Sequence, residues 1–169
     1  GLSQSTVISI HKDQRGLMWF GTRDGLNRYD GRQIKVYKNT PEDPQSISTS
    51  DYIYSIEEDA AHSLWIGTQK GLNHYAPETD AFEQIFHNDK DVNSLSNSTV
   101  ISICAAKDGK LWFGTNNGLS MLENSSSRKF INRYQKDGLA GNEVYCVFED
   151  SRANIWVGTT TGLSLLQAS

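Results

Sequence analysis

The 169-residue chain lacks several features that would point to common classes of function. Its only cysteines, Cys104 and Cys146, are too few for a disulfide framework and fit no metal-ligand spacing. Lys and Arg number 16 against 20 Asp and Glu, so there is no electrostatic reason to expect nucleic acid as a partner. No apolar run could cross a bilayer. Any link to a membrane would therefore need a transmembrane helix outside this sequence.

Helical periodicity is also absent, and one eight-residue signature occurs four times instead. It begins with tryptophan and has glycine at its third and seventh positions and leucine at its eighth. The first copy is Trp19-Phe20-Gly21-Thr22-Arg23-Asp24-Gly25-Leu26, and the others begin at Trp65, Trp112 and Trp156. The four tryptophans are separated by 44 to 47 residues. That period is typical of the blades of a β-propeller.

Each repeat contains the pattern of several short strands. A β-branched strand such as Val7-Ile8-Ser9-Ile10 is followed by a polar tip, the Trp strand and a Gly-Leu strand. A fourth, alternating strand follows in the first three repeats, at 33–37, 82–86 and 130–134. The sequence therefore predicts an all-β partial propeller of four-stranded antiparallel blades, the last of them incomplete. The blades are expected at about 1–44, 45–91, 92–138 and 139–169.

The residues shared by all four repeats are interpreted as structural, because packing between blades requires them in every repeat and a single ligand site does not. In the third repeat Ala106 stands where the others have Asp13, Asp59 and Asp150. If that aspartate only shapes the turn, Asp108 and Gly109 can replace it. The structural set is Trp19, Gly21, Gly25, Trp65, Gly67, Gly71, Trp112, Gly114, Gly118, Trp156, Gly158 and Gly162.

These motifs resemble the two-component regulator propeller repeat, and the resemblance covers essentially the whole chain. It is carried by the lead-in Leu2-Ser3, the strand Val7-Ile8-Ser9-Ile10 and the Trp signature. The resemblance implies a periplasmic sensor segment of a hybrid two-component histidine kinase that responds to carbohydrates and is not itself catalytic. It also implies a transmembrane helix, a kinase and further repeats elsewhere in the receptor.

The candidate ligand-binding residues lie in the turns between the second and third strands of each blade. In a propeller these turns share one end of the disc with the crossings from blade to blade. Planar amides, carboxylates and guanidinium groups suit sugar hydroxyls because they offer paired donors or acceptors. The candidates are Arg23, Asp24, Gln69, Lys70, Asn116 and Asn117, with Tyr52 as an aromatic ring that could stack on a sugar.

No catalytic residue, cofactor or metal site is predicted, since the four histidines show no metal-ligand spacing. One alternative function is a protein–protein interaction scaffold for receptor dimerisation or contacts between propellers, and a propeller-fold glycan lyase or hydrolase is a further one. The expected partners are an oligosaccharide and a further β-propeller surface. Four blades would leave an open arc unless they close alone or two copies meet, so we expect the end blades to self-associate or to pack on the rest of the receptor's propeller.

Overall fold

The computed structural model describes residues 1–168 and places each repeat in its own antiparallel sheet, with the strands in chain order. The first sheet contains β1 (Val7–Lys12), β2 (Met18–Thr22), β3 (Leu26–Tyr29) and β4 (Ile34–Tyr37). The second contains β5 (Ile53–Glu58), β6 (Leu64–Thr68), β7 (Gly71–Ala76) and β8 (Ala81–Ile85). The third contains β9 (Val100–Ala105), β10 (Leu111–Thr115), β11 (Gly118–Leu122) and β12 (Ile131–Arg133). The fourth contains β13 (Val144–Glu149), β14 (Ile155–Thr159) and β15 (Gly162–Leu166).

The predicted all-β partial propeller is confirmed, with a last blade of three strands. Outside the strands, a single 3₁₀ turn at Gln135–Asp137 is the only helical segment among residues 1–168. Within the same range no helix has the length and apolar character needed to cross a membrane.

In three of the four sheets, one aspartate accepts hydrogen bonds from both the tip turn and the tryptophan of the next strand. Asp13 accepts the Leu17 backbone N–H at Oδ1 (2.9 Å) and the indole N–H of Trp19 at Oδ2 (2.9 Å). The turn and the strand that follows it are thus bonded to one carboxylate. The same indole–carboxylate bond joins Trp65 to Asp59 (2.8 Å) and Trp156 to Asp150 (2.9 Å).

The third sheet lacks this bond because it has Ala106 at the aspartate position. The turn itself is kept, since Gly109 N–H donates to the Ala106 carbonyl (3.0 Å) and Lys110 N–H to Asp108 Oδ1 (3.0 Å). The buried indole N–H of Trp112, however, has no hydrogen-bond partner within residues 1–168. Treating the aspartate as a turn former alone was therefore incomplete, because it also accepts the indole N–H.

The apolar core is divided among the three interfaces between neighbouring sheets. Each of the first three tryptophans is buried against the inner strands of the following sheet. The indole rings therefore lie in separate interfaces and do not share a pocket. The groupings are Trp19 with Ile53 and Leu64, Trp65 with Val100 and Leu111, and Trp112 with Val144 and Ile155.

Close approach of neighbouring blades explains the first glycine of the signature. A Cβ atom on Gly67 would lie 2.7 Å from the Val100 carbonyl oxygen of the next sheet, and one on Gly21 would lie 2.7 Å from that of Ile53. Any larger residue would push the blades apart. The second glycine serves the turn instead, since Gly71 has a φ of +125°, which favours glycine.

The four sheets form an open arc. The innermost strands pack in sequence, β1 on β5, β5 on β9 and β9 on β13. The outward faces of the first and fourth sheets stay uncovered: Ile10 is 63% exposed, against 7% for its equivalent Ile56, and Leu163 is 63% exposed, against 0% for Leu119. A self-closed ring of four blades would have buried both faces.

Candidate ligand-binding cleft

The turns between second and third strands lie beside the crossings that lead to the next sheet. Gly25 N–H donates to the Ser50 carbonyl (2.7 Å), and Gly118 N–H donates to the Asn142 carbonyl (2.6 Å). The two kinds of loop therefore share one end of the arc, as the sequence predicts. We call it the loop end.

The first two crossings, 39–47 and 87–95, are conformational copies of one another. Thr40 N–H donates to Ser46 Oγ (3.0 Å), and Asn88 N–H donates to Ser94 Oγ (2.9 Å) at the equivalent place. Each serine hydroxyl returns the bond to the carbonyl of the same partner residue (3.1 and 3.0 Å). Short local bonds of this kind hold a loop that has no sheet partner.

The third crossing is shorter, and a cleft opens beside it. The second crossing uses nine residues from His87 to Leu95, whereas the third uses five from Gln135 to Leu139. Because the shorter loop fills less space, a cavity of about 880 Å³ lies between the two. We call it the loop cleft. It is lined by His87, Asn88, Asp89, Asp91, Val92, Ser94, Ser96, Asn117, Asn132, Tyr134, Gln135, Lys136 and Asn142.

Some polar groups of the loop cleft are fixed by the protein. Asn132 Nδ2 donates to the Ser94 carbonyl (2.8 Å), and Asn132 Oδ1 accepts from Ser120 Oγ (2.7 Å). Asn142, which also lines the cleft, accepts the backbone N–H of Gln135 at Oδ1 (2.7 Å). These bonds pre-orient two amides without using all of their hydrogen-bonding capacity.

Other polar groups of the cleft are free to bind a ligand. Within residues 1–168, the side-chain amides of Asn117 and Gln135 make no hydrogen bond, and the Lys136 ammonium forms no ion pair. Lys136 Nζ lies 5.5 Å from the ring centroid of Tyr134, which also lines the cleft. The cleft therefore combines amide donors and acceptors, one ammonium group and one aromatic ring.

His87 anchors the second crossing through both ring nitrogens. Nδ1 lies 2.7 Å from the Leu95 carbonyl oxygen, and Nε2 lies 2.7 Å from Asp89 Oδ1. The hydrogen bond to Asp89, followed by the one to Leu95, raises the pKa of His87 above its usual 6.5. The protonated ring, with two N–H donors, fits both acceptors.

Of the predicted ligand-binding residues, only Asn117 lines the loop cleft. Arg23 lies over the Tyr52 ring (5.4 Å to its centroid), and Tyr52 stacks on Tyr54 (5.9 Å). This second group also lies at the loop end, where the Tyr52 backbone N–H donates to the Arg23 carbonyl (3.4 Å). The structure thus brings Arg23 and Tyr52 together but keeps them apart from Asn117, and their roles in binding stay predictions.

The remaining predicted residues lie outside the loop cleft and make structural contacts, Asp24 through its side chain and Gln69, Lys70 and Asn116 through their backbones. Their roles in binding also stay predictions. Asp24 pairs with Lys38 (2.7 Å). The backbone of Gln69 accepts from Thr99 Oγ1 (2.9 Å), and Asn116 N–H donates to the Thr99 carbonyl (3.1 Å). In each repeat the second turn residue also donates its backbone N–H to the threonine of the signature, as Lys70 does to Thr68 (3.1 Å).

Most residues of the loop cleft were missed by the sequence argument, which favoured the short turns over the crossings. A usable signal was present in the unequal length of the crossings. His87 and Gln135 follow equivalent strands, yet the next apolar lead-in residue, Leu95 or Leu139, comes at different distances. A shortened loop beside a long one is a simple way to form a cleft between repeats.

The family model described as the two component regulator propeller matches four segments of the chain, residues 1–24, 47–70, 94–117 and 138–161. Each segment runs from the lead-in of a repeat into the turn after its Trp strand, and together they make up more than half of the chain. The fold and the repeats thus define a β-propeller built from regulatory-receptor repeats. The chain belongs to the two component regulator propeller family.

The chain is similar to a histidine kinase and to the extracellular domain of a two component system. The chain is 60% identical over 48 residues to histidine kinase P4 of Formosa agariphila, a match that covers 28% of this chain and 4% of the kinase. It is 26% identical to the extracellular domain of the hybrid two component system BT4673 of B. thetaiotaomicron, with a TM-score of 0.77. That match covers 98% of this chain and 22% of the other. The chain therefore spans only a small part of these relatives.

An enzyme also shares the fold. Virginiamycin B lyase from Staphylococcus aureus superposes with a TM-score of 0.66 over 99% of this chain and 57% of its own, at 13% identity. At that level of identity the similarity shows the propeller architecture alone.

Proposed function

We propose that this chain is an extracytoplasmic, periplasmic sensor segment of a hybrid two-component histidine kinase, and that it binds a ligand without catalysing a reaction. The proposal is supported by membership of the regulator propeller family and by similarity to a receptor's extracellular domain over 98% of the chain. The 60% identity to a histidine kinase over 48 residues agrees with it.

The ligand that fits the loop cleft best is an oligosaccharide. Sugar hydroxyls both donate and accept hydrogen bonds, and the free amides of Asn117 and Gln135 can do the same. The ring of Tyr134 can pack on the apolar face of a sugar. A cavity of about 880 Å³ is large enough for several sugar units. The single observation that carries the proposal is this group of unpaired amides beside an aromatic ring.

The test is calorimetric titration of the chain with neutral, uronic-acid and sulfated oligosaccharides. Replacing Asn117 by Ala removes hydrogen bonds to the sugar and is expected to weaken binding about fivefold, the effect of roughly 1 kcal/mol. The matched control is Lys70→Ala, at the same turn position of the second sheet but outside the loop cleft.

The pair of variants separates the loop cleft from the other predicted turn residues. We expect Lys70→Ala to bind as the natural chain does. Equal losses in both variants would place the ligand elsewhere on the loop end. If no oligosaccharide of the panel binds, the carbohydrate proposal is contradicted.

A second candidate function, the interaction scaffold, is favoured by the uncovered end faces. On the fourth sheet, Phe148 is 65% and Leu163 is 63% exposed. The equivalent leucines of the first three sheets are fully buried by the next blade. We propose that a further blade of the same receptor covers this face, because a repeat-built face is complementary to the next repeat.

In the isolated chain, a second copy would take the place of that further blade. The first sheet of one copy offers the surface that the fourth sheet of another copy lacks. Light scattering should therefore show association that rises with concentration, and Leu163→Glu should suppress it by placing a charge in the contact. A monomer at high concentration, or unchanged association of the variant, would argue against the scaffold function.

A further inference from the structure

The first two crossings differ in the side chain that anchors them. In the first crossing Asn39 Nδ2 donates to the Ile47 carbonyl (2.9 Å) and to the Ser48 carbonyl (3.3 Å). In the second crossing His87 takes the place of Asn39, and its ring bonds the equivalent Leu95 carbonyl and Asp89. The two loops therefore have the same backbone bonds but one anchor that cannot titrate and one that can.

Both partners of His87 are acceptors, so the protonation state decides how many bonds the ring makes. The doubly protonated imidazolium donates to both oxygens. A neutral imidazole has a single N–H and would turn the lone pair of its other nitrogen toward an oxygen 2.7 Å away. Loss of the proton must therefore break one of the two anchoring bonds.

The surroundings of His87 favour its protonated form. Asp89 and Asp91 of the same crossing line the loop cleft, as do Lys136 of the third crossing and Tyr134 just before it. The β10–β11 turn contributes only the uncharged Asn117, and the lead-in contributes only Ser96. The nearest charge is the Asp89 carboxylate, which is bonded to the ring.

We propose that His87 is a pH-dependent latch: when protonated it holds the second crossing, and with it one side of the loop cleft, in its binding conformation, and when neutral it keeps only one of its two bonds and holds that crossing less tightly. This inference rests on the proposed function, because it concerns regulation of the same cleft. The pKa of His87 is raised in the folded loop, so the latch contributes fully below about 6.5 and is lost as the pH rises through the folded value.

The test follows the chain by nuclear magnetic resonance between pH 5 and 9, without ligand. The His87 ring resonances should titrate above 6.5. The amide protection factors of His87 and Asn88 should fall across the same range, about tenfold for each unit by which the pKa is raised. The amides of Asn39 and Thr40, which make the same backbone bonds, should show no such change.

The matched variant is His87→Asn, which copies the anchor of the first crossing. It should keep Asn88 protected, remove the pH dependence and so confirm the latch, whereas His87→Ala should lose protection at every pH. A His87 pKa at or below 6.5 would overturn the proposal. So would amide protection factors in the second crossing that show no more pH dependence than those in the first. Because neither readout uses an oligosaccharide, this failure would be distinct from failure of the binding proposal.

Discussion

Leu119 and Leu163 hold the same place in successive repeats, yet one is fully buried and the other is 63% exposed. Both follow the second glycine of the signature, and both stand on the strand next to the Trp strand. Leu119 is covered by the fourth sheet, in a cluster with Val144 and Val157. The comparison shows that the burial of a repeat residue depends on the neighbouring blade and not on its own sheet.

The largest expected effect tests that comparison directly. Leu119→Ala should lower the free energy of unfolding by about 3 kcal/mol, because it leaves a cavity in the interface between the third and fourth sheets. Leu163→Ala should change it by no more than about 0.5 kcal/mol in the monomer, since solvent already reaches the side chain. Urea denaturation at low protein concentration measures the free energy of unfolding of both variants. Similar losses in the two variants would mean that the end face is covered in solution.

A second contrast compares the first signature glycine of a covered sheet, Gly67, with that of the uncovered fourth sheet, Gly158. Gly67→Ala should cost about 2 kcal/mol, because its Cβ would lie 2.7 Å from the Val100 carbonyl oxygen in the next blade. For Gly158 the atom met is Cys146 Sγ, at 2.5 Å, a side-chain atom of its own sheet. Rotation of that side chain should keep the cost of Gly158→Ala below about 1 kcal/mol. Thermal unfolding of the two variants decides whether contact with the next blade or packing within its own sheet requires the glycine.

The smallest effect concerns the interior of the third sheet, where Trp112 lacks the carboxylate that Trp65 has. Ala106→Asp should supply it and raise the free energy of unfolding by about 1 kcal/mol. The indole N–H resonance of Trp112 should shift downfield as the new bond forms. Ala106→Val, which offers no acceptor, should bring neither change. Destabilisation by the aspartate would show that the third tip cannot adopt the geometry of the other three.

Much of the fold could be predicted because the same pattern of strands and turns occurs four times in the sequence. The strands, the tip turns and the structural tryptophans follow from residues that recur at fixed positions. The indole acceptor was also readable in principle, since an aspartate stands six residues before Trp19, Trp65 and Trp156. It was missed because the same aspartate also suits a turn, and local sequence does not distinguish the two roles.

The candidate site was less accessible from sequence. Asn117 could be named as a candidate because it lies in a turn whose place in a propeller blade is known, whereas His87 and Gln135 lie in crossings whose shape depends on their neighbours. By residue type Arg23 and Tyr52 were also suited to a sugar, but they lie together outside the loop cleft. Residue type alone does not tell which loops come together.

The amino-acid sequence by itself determined the repeat, the antiparallel blades and the family, because periodic patterning acts within each sheet and needs no distant partner. The tertiary structure decided which faces are buried, where the loop cleft opens and which acceptors surround His87. These features arise only when blades stack, since they depend on the difference between neighbouring repeats, such as nine residues in one crossing against five in the next. Local patterns specify each unit, and the contacts between unlike units create the site.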